Sequence, residues 1–253
     1  MFASSAKFAD QSMARFKAGL ACAAVATLLL AGASAHATNL VTNGDFSSNA
    51  GLGQLGFNTS ATDWSNPFNQ YNFLFSSSDP TGVVGGQYGN LSLISVTAPP
   101  AGADFVGLDS DFQTGPLQQT INGLTAGDSY NVTFDWARSQ QTGFSGNTLQ
   151  GLMVSLGSQT DDTGLILLPS QTFSGWTSDS MNFTATSSSE VLSFLAYGSP
   201  QVPPFTLLTD ISLESSKSPV PEPDTLTFLF TGLMAGAGLL KSRKWLRRPQ
   251  QSM

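Results

Sequence analysis

Along the middle of the chain, apolar and polar side chains take turns. Tyr130, Val132, Phe134 and Trp136 alternate with Asn131, Thr133 and Asp135. A period of two puts one apolar and one polar face on an extended strand over 130–137. Similar patterns predict strands over 71–75, 91–96, 105–108, 117–121, 152–156, 181–185, 191–197 and 207–213. Asn122-Gly123 and Ala126-Gly127-Asp128 supply the turns before Tyr130. Residues 191–195 are apolar at four of five positions, which predicts a central, buried strand. Many short strands at this spacing, with no helical period of consequence, predict an all-β fold, an antiparallel β-sandwich or jelly roll.

The two ends break the pattern. Lys7, Arg15 and Lys17 precede an apolar stretch over 18–33 and then Ala35-His36-Ala37. Small residues three apart after an apolar run fit a cleavage site, so residues 1–37 read as a secretory signal peptide, with Met1 or Met13 as its start. The other reading of this segment is a membrane anchor. Residues 225–240 carry no charge, and five cations follow: Lys241, Arg243, Lys244, Arg247 and Arg248. As a helix the run would span roughly 24 Å against a hydrocarbon core of about 30 Å, a short transmembrane helix helped by snorkelling cations and by Trp245. The basic cluster is a stop-transfer pattern that should stay cytoplasmic. A buried core helix with a basic end is the alternative.

Removing both ends leaves residues 38–216, one domain's worth of chain. The single cysteine, Cys22, and the single histidine, His36, both lie in the leader. The domain therefore has no disulfide, no thiol or Ser-His-Asp catalysis and no Cys/His zinc site. Its one base, Arg138, faces fourteen acids, a net charge of −13 that the whole-chain value of −7 conceals. Such a domain excludes nucleic acid and phosphate-rich partners. Carboxylates in this number suit divalent cations, and equally serve solubility.

Val220-Pro221-Glu222-Pro223, the uncharged run and the basic cluster together resemble the PEP-CTERM protein-sorting signal of Gram-negative bacteria, here over 217–248. The resemblance implies recognition by an exosortase, processing near Pro221-Glu222-Pro223, a cell-envelope or extracellular destination, and a host that makes exopolysaccharide. The prolines keep the motif extended just outside the bilayer. A second resemblance rests on Asn39-Leu40-Val41-Thr42-Asn43-Gly44-Asp45-Phe46, on 115–121 and 123–130, and on Leu207-Leu208-Thr209-Asp210-Ile211-Ser212-Leu213. These stretches look like the galactose-binding-like jelly rolls common in carbohydrate-binding modules. Thr209 stands where the closing D-D-V-S-L pattern has its first aspartate. The resemblance implies a structural calcium between the first and last strands, at Asn43, Asp45 and Asp210. A plain turn and a solvated strand residue are the competing account.

Other chemistry comes from the residues themselves. Asp109-Ser110-Asp111, with Asp104 nearby, puts two carboxylates on one face of an extended segment, suited to a cation, to sugar hydroxyls or to solvent. Sugar binding calls for aromatic platforms beside planar hydrogen-bonding groups. Trp64, in the polar loop Thr62-Asp63-Trp64-Ser65-Asn66, is the expected exposed platform. Arg138 and Gln140, where strand 130–137 runs into a polar loop, are the expected ligand contacts. Arg138 could instead pair with Asp135 at the surface. No carboxylate pair is marked out for glycoside hydrolysis, so no enzyme is expected. The expected role is binding or organising extracellular polysaccharide, the alternatives being a passive surface protein and, more distantly, a hydrolase.

Overall fold

A computed structural model describes residues 38–67, 70–200 and 202–217. The expected leader 1–37, the expected sorting residues Val220, Pro221, Glu222 and Pro223, the apolar run 225–240 and the basic cluster lie outside the described residues.

Thirteen strands make up the described chain. They are β1 (Gly53–Gln54), β2 (Asn72–Phe75), β3 (Val84–Gly86), β4 (Gly89–Leu91), β5 (Phe105–Asp109), β6 (Leu117–Asn122), β7 (Ser129–Gln140), β8 (Thr148–Leu156), β9 (Gln159–Asp162), β10 (Ile166–Leu168), β11 (Thr177–Thr184), β12 (Ser189–Ser199) and β13 (Pro204–Ser215). One sheet runs β1-β2-β5-β13-β7-β11 and the other β10-β8-β12-β6, with β9 beside β8 and a separate β3-β4 hairpin. Each of these pairings is antiparallel. The described residues form an all-β sandwich.

The alternation that predicts β7 also decides what fills the space between the sheets. Tyr130, Val132, Phe134 and Trp136 point inward with Val106, Leu108, Leu208 and Leu213, and meet Leu152, Val154, Leu192 and Phe194 of the second sheet. The six-stranded sheet buries its other face as well. Phe73, Phe75, Phe105, Phe205 and Leu207 form a second cluster under Val84, Leu91, Leu93 and Val96. Phe75 stacks on Phe105 at 5.3 Å and 13°. The hairpin can lie flat on this layer because Gly86 has no side chain; a Cβ there would stand 2.6 Å from the Phe73 ring. This second layer reassigns the expected strand 91–96. Only Leu91 belongs to a strand. Leu93 and Val96 are buried against the aromatic layer, and Ile94 N–H bonds Gln140 O at 2.9 Å. The expectation for 191–195 also needs correction. β12 is central, but Leu192 and Phe194 face the core while Val191 is 41% exposed on an open sheet face.

A bulge shapes the far end of β13. Its register against β7 shifts between Thr209 and Ser212, and Asp210 sits there at φ 50°. The amino-terminal segment zips onto this bulge. Leu40 N–H bonds Leu213 O at 2.9 Å and Ile211 N–H bonds Gly44 O at 3.1 Å. The approach needs a glycine, since a Cβ on Gly44 would fall 2.0 Å from Ile211 O.

Candidate functional site

Where β2 begins and β5 ends, three aromatic rings meet at the surface. Tyr71, the residue before β2, is buried edge-on to Phe73 at 4.5 Å and 86°. Tyr88, in the turn of the β3-β4 hairpin, lies 5.7 Å from it, and Phe112, just past β5, lies 5.9 Å from it. Tyr88 and Phe112 are 5.7 Å apart at 76°, so they make two walls of a corner. They are 56% and 53% exposed. Large side chains this exposed are unremarkable singly; grouped on a buried third ring, they form a built apolar surface. Gln113 Nε2 donates to the Tyr88 hydroxyl at 2.8 Å, which ties the two loops together and leaves a planar amide at the corner's edge.

Asp109 holds the corner from below. It is 1% exposed. Its Oδ1 accepts from Asp111 N–H and Phe112 N–H, both at 3.0 Å, and its Oδ2 accepts from Gln113 N–H at 2.9 Å. Three main-chain donors around one carboxylate fold residues 111–113 into a tight turn and aim the Phe112 ring outward. Burial raises the Asp109 pKa; the three N–H groups act against that shift, and the charge of Asp111 adds to it. Tyr71 is also raised, first by burial, then by Asp109 and Tyr88. The expected pair of carboxylates on one face is therefore not formed: Asp109 turns inward and Asp111 stays partly exposed. Asp104 is engaged elsewhere, accepting from Ser77 N–H at 3.0 Å and Asn49 Nδ2 at 3.2 Å.

The residues expected to contact a ligand lie away from this corner's rings. Trp64 is not an exposed platform: it is 8% exposed, between Phe46 at 5.5 Å and Phe194 at 6.2 Å. Its indole N–H donates to Asn43 O at 2.9 Å. The polar residues around it in sequence are a turn over a core tryptophan. Gln140 is fully buried and engaged at both ends of its amide. Its Nε2 donates to Gly146 O at 2.8 Å and Thr148 Oγ1 at 3.2 Å, and its Oε1 accepts from Gln171 N–H at 2.7 Å. It is a brace between loops. Arg138 is partly buried, with its guanidinium 5.6 Å from the centre of the Trp136 ring and donating to Leu167 O at 3.3 Å. Burial lowers its pKa, and no ion pair with Asp135 forms among the described residues. The signal that singled out Trp64, an aromatic in a polar loop, applies equally to Phe112 in Ser110-Asp111-Phe112-Gln113-Thr114 and to Tyr88 between Gln87 and Gly89. The alternation does not rank them; burial does.

The structure brings Asn43, Asp45 and Asp210 to the same bulge. Asn43 Oδ1 accepts from Ser48 N–H at 2.9 Å, and its Nδ2 donates to Ser48 O and Thr62 O at 2.9 Å. Asp45 Oδ1 accepts from the Ser47 hydroxyl at 3.0 Å. Among the described residues no three acidic, histidine or cysteine side chains stand in metal-binding arrangement. What remains is an uncompensated carboxylate: Asp210 Oδ2 is buried without a partner. Burial raises the Asp210 pKa, and the nearby charges of Asp135 and Asp45 raise it further. A carboxyl that holds its proton more tightly folded than unfolded costs stability when ionised. That cost is full above its raised folded value and fades as pH falls toward the ordinary carboxylate range. Asp210→Asn should therefore stabilise the domain at pH 7 by a few tenths to about 1 kcal/mol, discounted for solvent screening. Asparagine also tolerates φ 50°. Thermal melts of both forms from pH 7 to pH 4 should converge; a constant gap would show that the charge is not the cause.

No protein-family model matches the sequence, and no curated protein matches it. Among solved structures the chain is similar to the carbohydrate-binding module TmCBM61 in complex with β-1,4-galactotriose. Identity is 13%, coverage is 71% of this chain and 99% of that one, and the TM-score is 0.36. It is also similar to the CBM22-1 xylan-binding domain of Xyn10C from Paenibacillus barcinonensis, at 10% identity, 72% and 97% coverage and TM-score 0.34. A third similarity is to the arabinose-bound α-L-arabinofuranosidase MgGH51. There identity is 16%, coverage is 73% of this chain and 27% of that one, and the TM-score is 0.41. At these identities the likeness carries no side-chain role with it.

Proposed function

We propose that this domain is a non-catalytic module that binds a neutral polysaccharide at the Tyr88–Phe112 corner, on a protein sorted to the bacterial cell envelope. The observation that carries the reading is the pair of exposed rings at 5.7 Å and 76°, both seated on buried Tyr71, with Phe112 on a turn held by Asp109. A pyranose offers an apolar C–H face to one ring and its edge to the other, while hydroxyls reach the Gln113 amide and the Asp111 carboxylate. The domain's net charge of −13 disfavours anionic chains at long range and leaves neutral ones unaffected. Secretion, sorting by an exosortase and transient membrane anchoring rest on the patterns at 1–37 and 217–248. The extracellular polysaccharide of the host is then the ligand the module meets.

Tyr88→Ala and Phe112→Ala should each weaken binding to the host's own exopolysaccharide about tenfold, roughly 1.4 kcal/mol per ring face lost. Both rings are exposed, so melting temperature should barely move. Affinity electrophoresis in gels cast with the polysaccharide reads this directly. Unchanged mobility of both variants would refute the corner as the site.

A further inference from the structure

The second sheet ends in a strand whose outer edge is left half used. β6 closes the order β10-β8-β12-β6. Toward β12 it is fully paired, from Leu117 opposite Phe194 to Asn122 opposite Ser189. On the other side Gln118 exchanges both main-chain bonds with Ser65, at 2.8 and 2.9 Å. Because main-chain groups alternate sides with a period of two, Thr120 and Asn122 present their N–H and C=O outward as Gln118 does. The residue that would pair next, Asp63, turns away at φ 66°, and pairing stops there.

Beside this edge runs an open cleft of about 600 Å³ lined by Leu40, Thr42, Asp63, Trp64, Thr120 and Asn122, among others. Its far wall is braced by Gln119, whose Oε1 accepts from Thr42 N–H at 2.9 Å and whose Nε2 donates to Thr42 O at 2.8 Å. Proteins usually blunt such an edge with charge, proline or a bulge. β6 has none of these between Leu117 and Asn122. The edge strand β11 shows the contrast. There Asp179 caps the neighbouring Ser180 N–H at 2.7 Å, and the Gln159 amide clamps Thr184 N–H and C=O at 3.0 and 2.8 Å.

We propose that the β6 edge is a strand-addition site for an extended polypeptide segment of a partner protein, a binding surface separate from the aromatic corner. The cleft suits a single extended chain, with free main-chain donors and acceptors at strand spacing along it and a floor of Leu40 and the Trp64 edge. It has no exposed aromatic face for a sugar ring, Trp64 being 8% exposed. Alternating apolar residues of the guest face that floor, and a basic residue meets Asp63 beside the start of the free edge. A guest that continues the antiparallel Ser65–Gln118 pairing places that basic residue at its carboxyl end.

The test uses the full chain in detergent micelles and the blocked pentapeptide Ac-Thr-Val-Thr-Val-Lys-NH2. Hydrogen exchange at the Thr120 and Asn122 amides, resolved by fragmentation mass spectrometry, should slow at least tenfold at saturating peptide. The same peptide N-methylated at alternate residues should give no protection, and replacing its lysine with glutamate should weaken binding several-fold. Thr120→Pro removes an outward N–H that β12 does not use, and should abolish protection without altering exchange in β12. The N-methylated peptide keeps the test decisive if that variant does not fold. Absence of protection at millimolar peptide overturns the proposal, as does equal protection by the N-methylated form. Concentration-dependent protection without peptide overturns it in favour of pairing between copies. Protection by neutral oligosaccharide alone overturns it in favour of a glycan groove.

Discussion

Trp64→Ala should lower the stability of the domain by about 3–5 kcal/mol, the range for emptying a large aromatic site in a packed core. The ring is 8% exposed and touches Phe46, itself fully buried, and Phe194 of β12. Its N–H also secures Asn43 O at 2.9 Å, so its loss loosens the amino-terminal loop from the sandwich. Trp64→Phe keeps most of the contact and should cost about 1–2 kcal/mol, chiefly the indole bond and the smaller ring. Urea unfolding followed by circular dichroism measures both. A melting temperature unchanged by alanine, with weakened polysaccharide binding, would restore Trp64 as a surface platform and contradict the buried position.

Asp109→Ala should cost about 2–4 kcal/mol and, unlike Trp64→Ala, should remove polysaccharide binding together with stability. Three N–H groups lose one acceptor. Each buried donor left unpaired costs about 1–3 kcal/mol, reduced here because residues 111–113 can reach water once the turn opens. Against this loss stands the relief of a buried charge, since burial is the largest cause raising the Asp109 pKa. Asp109→Asn separates the two effects. Its oxygen still accepts from Asp111 and Phe112 N–H, while its amide NH2 opposes Gln113 N–H, so it should cost about 1–2 kcal/mol. The sign with pH follows from the raised value. Wild-type Asp109 carries its ionisation cost above the raised folded value and sheds it as pH falls toward the ordinary carboxylate range, whereas the asparagine form does not titrate. The gap between wild type and Asp109→Asn should therefore widen on acidification from pH 7. A gap that narrows would show that the N–H groups, not burial, dominate Asp109.

Strands are readable from alternation where one face is wet, and from a short apolar run where both faces are buried, as in β2 and β5. β7 shows its alternation because Asn131, Thr133 and Asp135 look outward from a buried row. β1, β3, β9 and β10 carry two to four residues each, too few for a period to declare itself. The stretch 91–96 was misread for a different reason. Its apolar residues pack on the aromatic outer layer of the six-stranded sheet, and a covering segment needs the same composition as a strand.

The sites divide in the same way. Aromatic residues in polar loops are equally good platforms on paper, and Trp64, Tyr88 and Phe112 all qualify. Whether a ring ends inside or outside depends on what crosses it from distant parts of the chain. Phe46 and Phe194 close over Trp64, while nothing among the described residues covers Phe112. Gln140 likewise looks like a free loop amide until Gly146, Thr148 and Gln171 enclose it.

By itself the sequence determined the all-β class, the absence of thiol and imidazole chemistry from the domain, its acidity, and the polar-aromatic composition of its loops. These follow from residue identity and from local periodicity, which act over a few residues. The tertiary structure decided which carboxylate is buried, which aromatics stay at the surface, and which strand edge is left unpaired. Those outcomes are set by packing between segments far apart in the chain, where a neighbour's volume and hydrogen bonds settle whether a side chain meets water or protein.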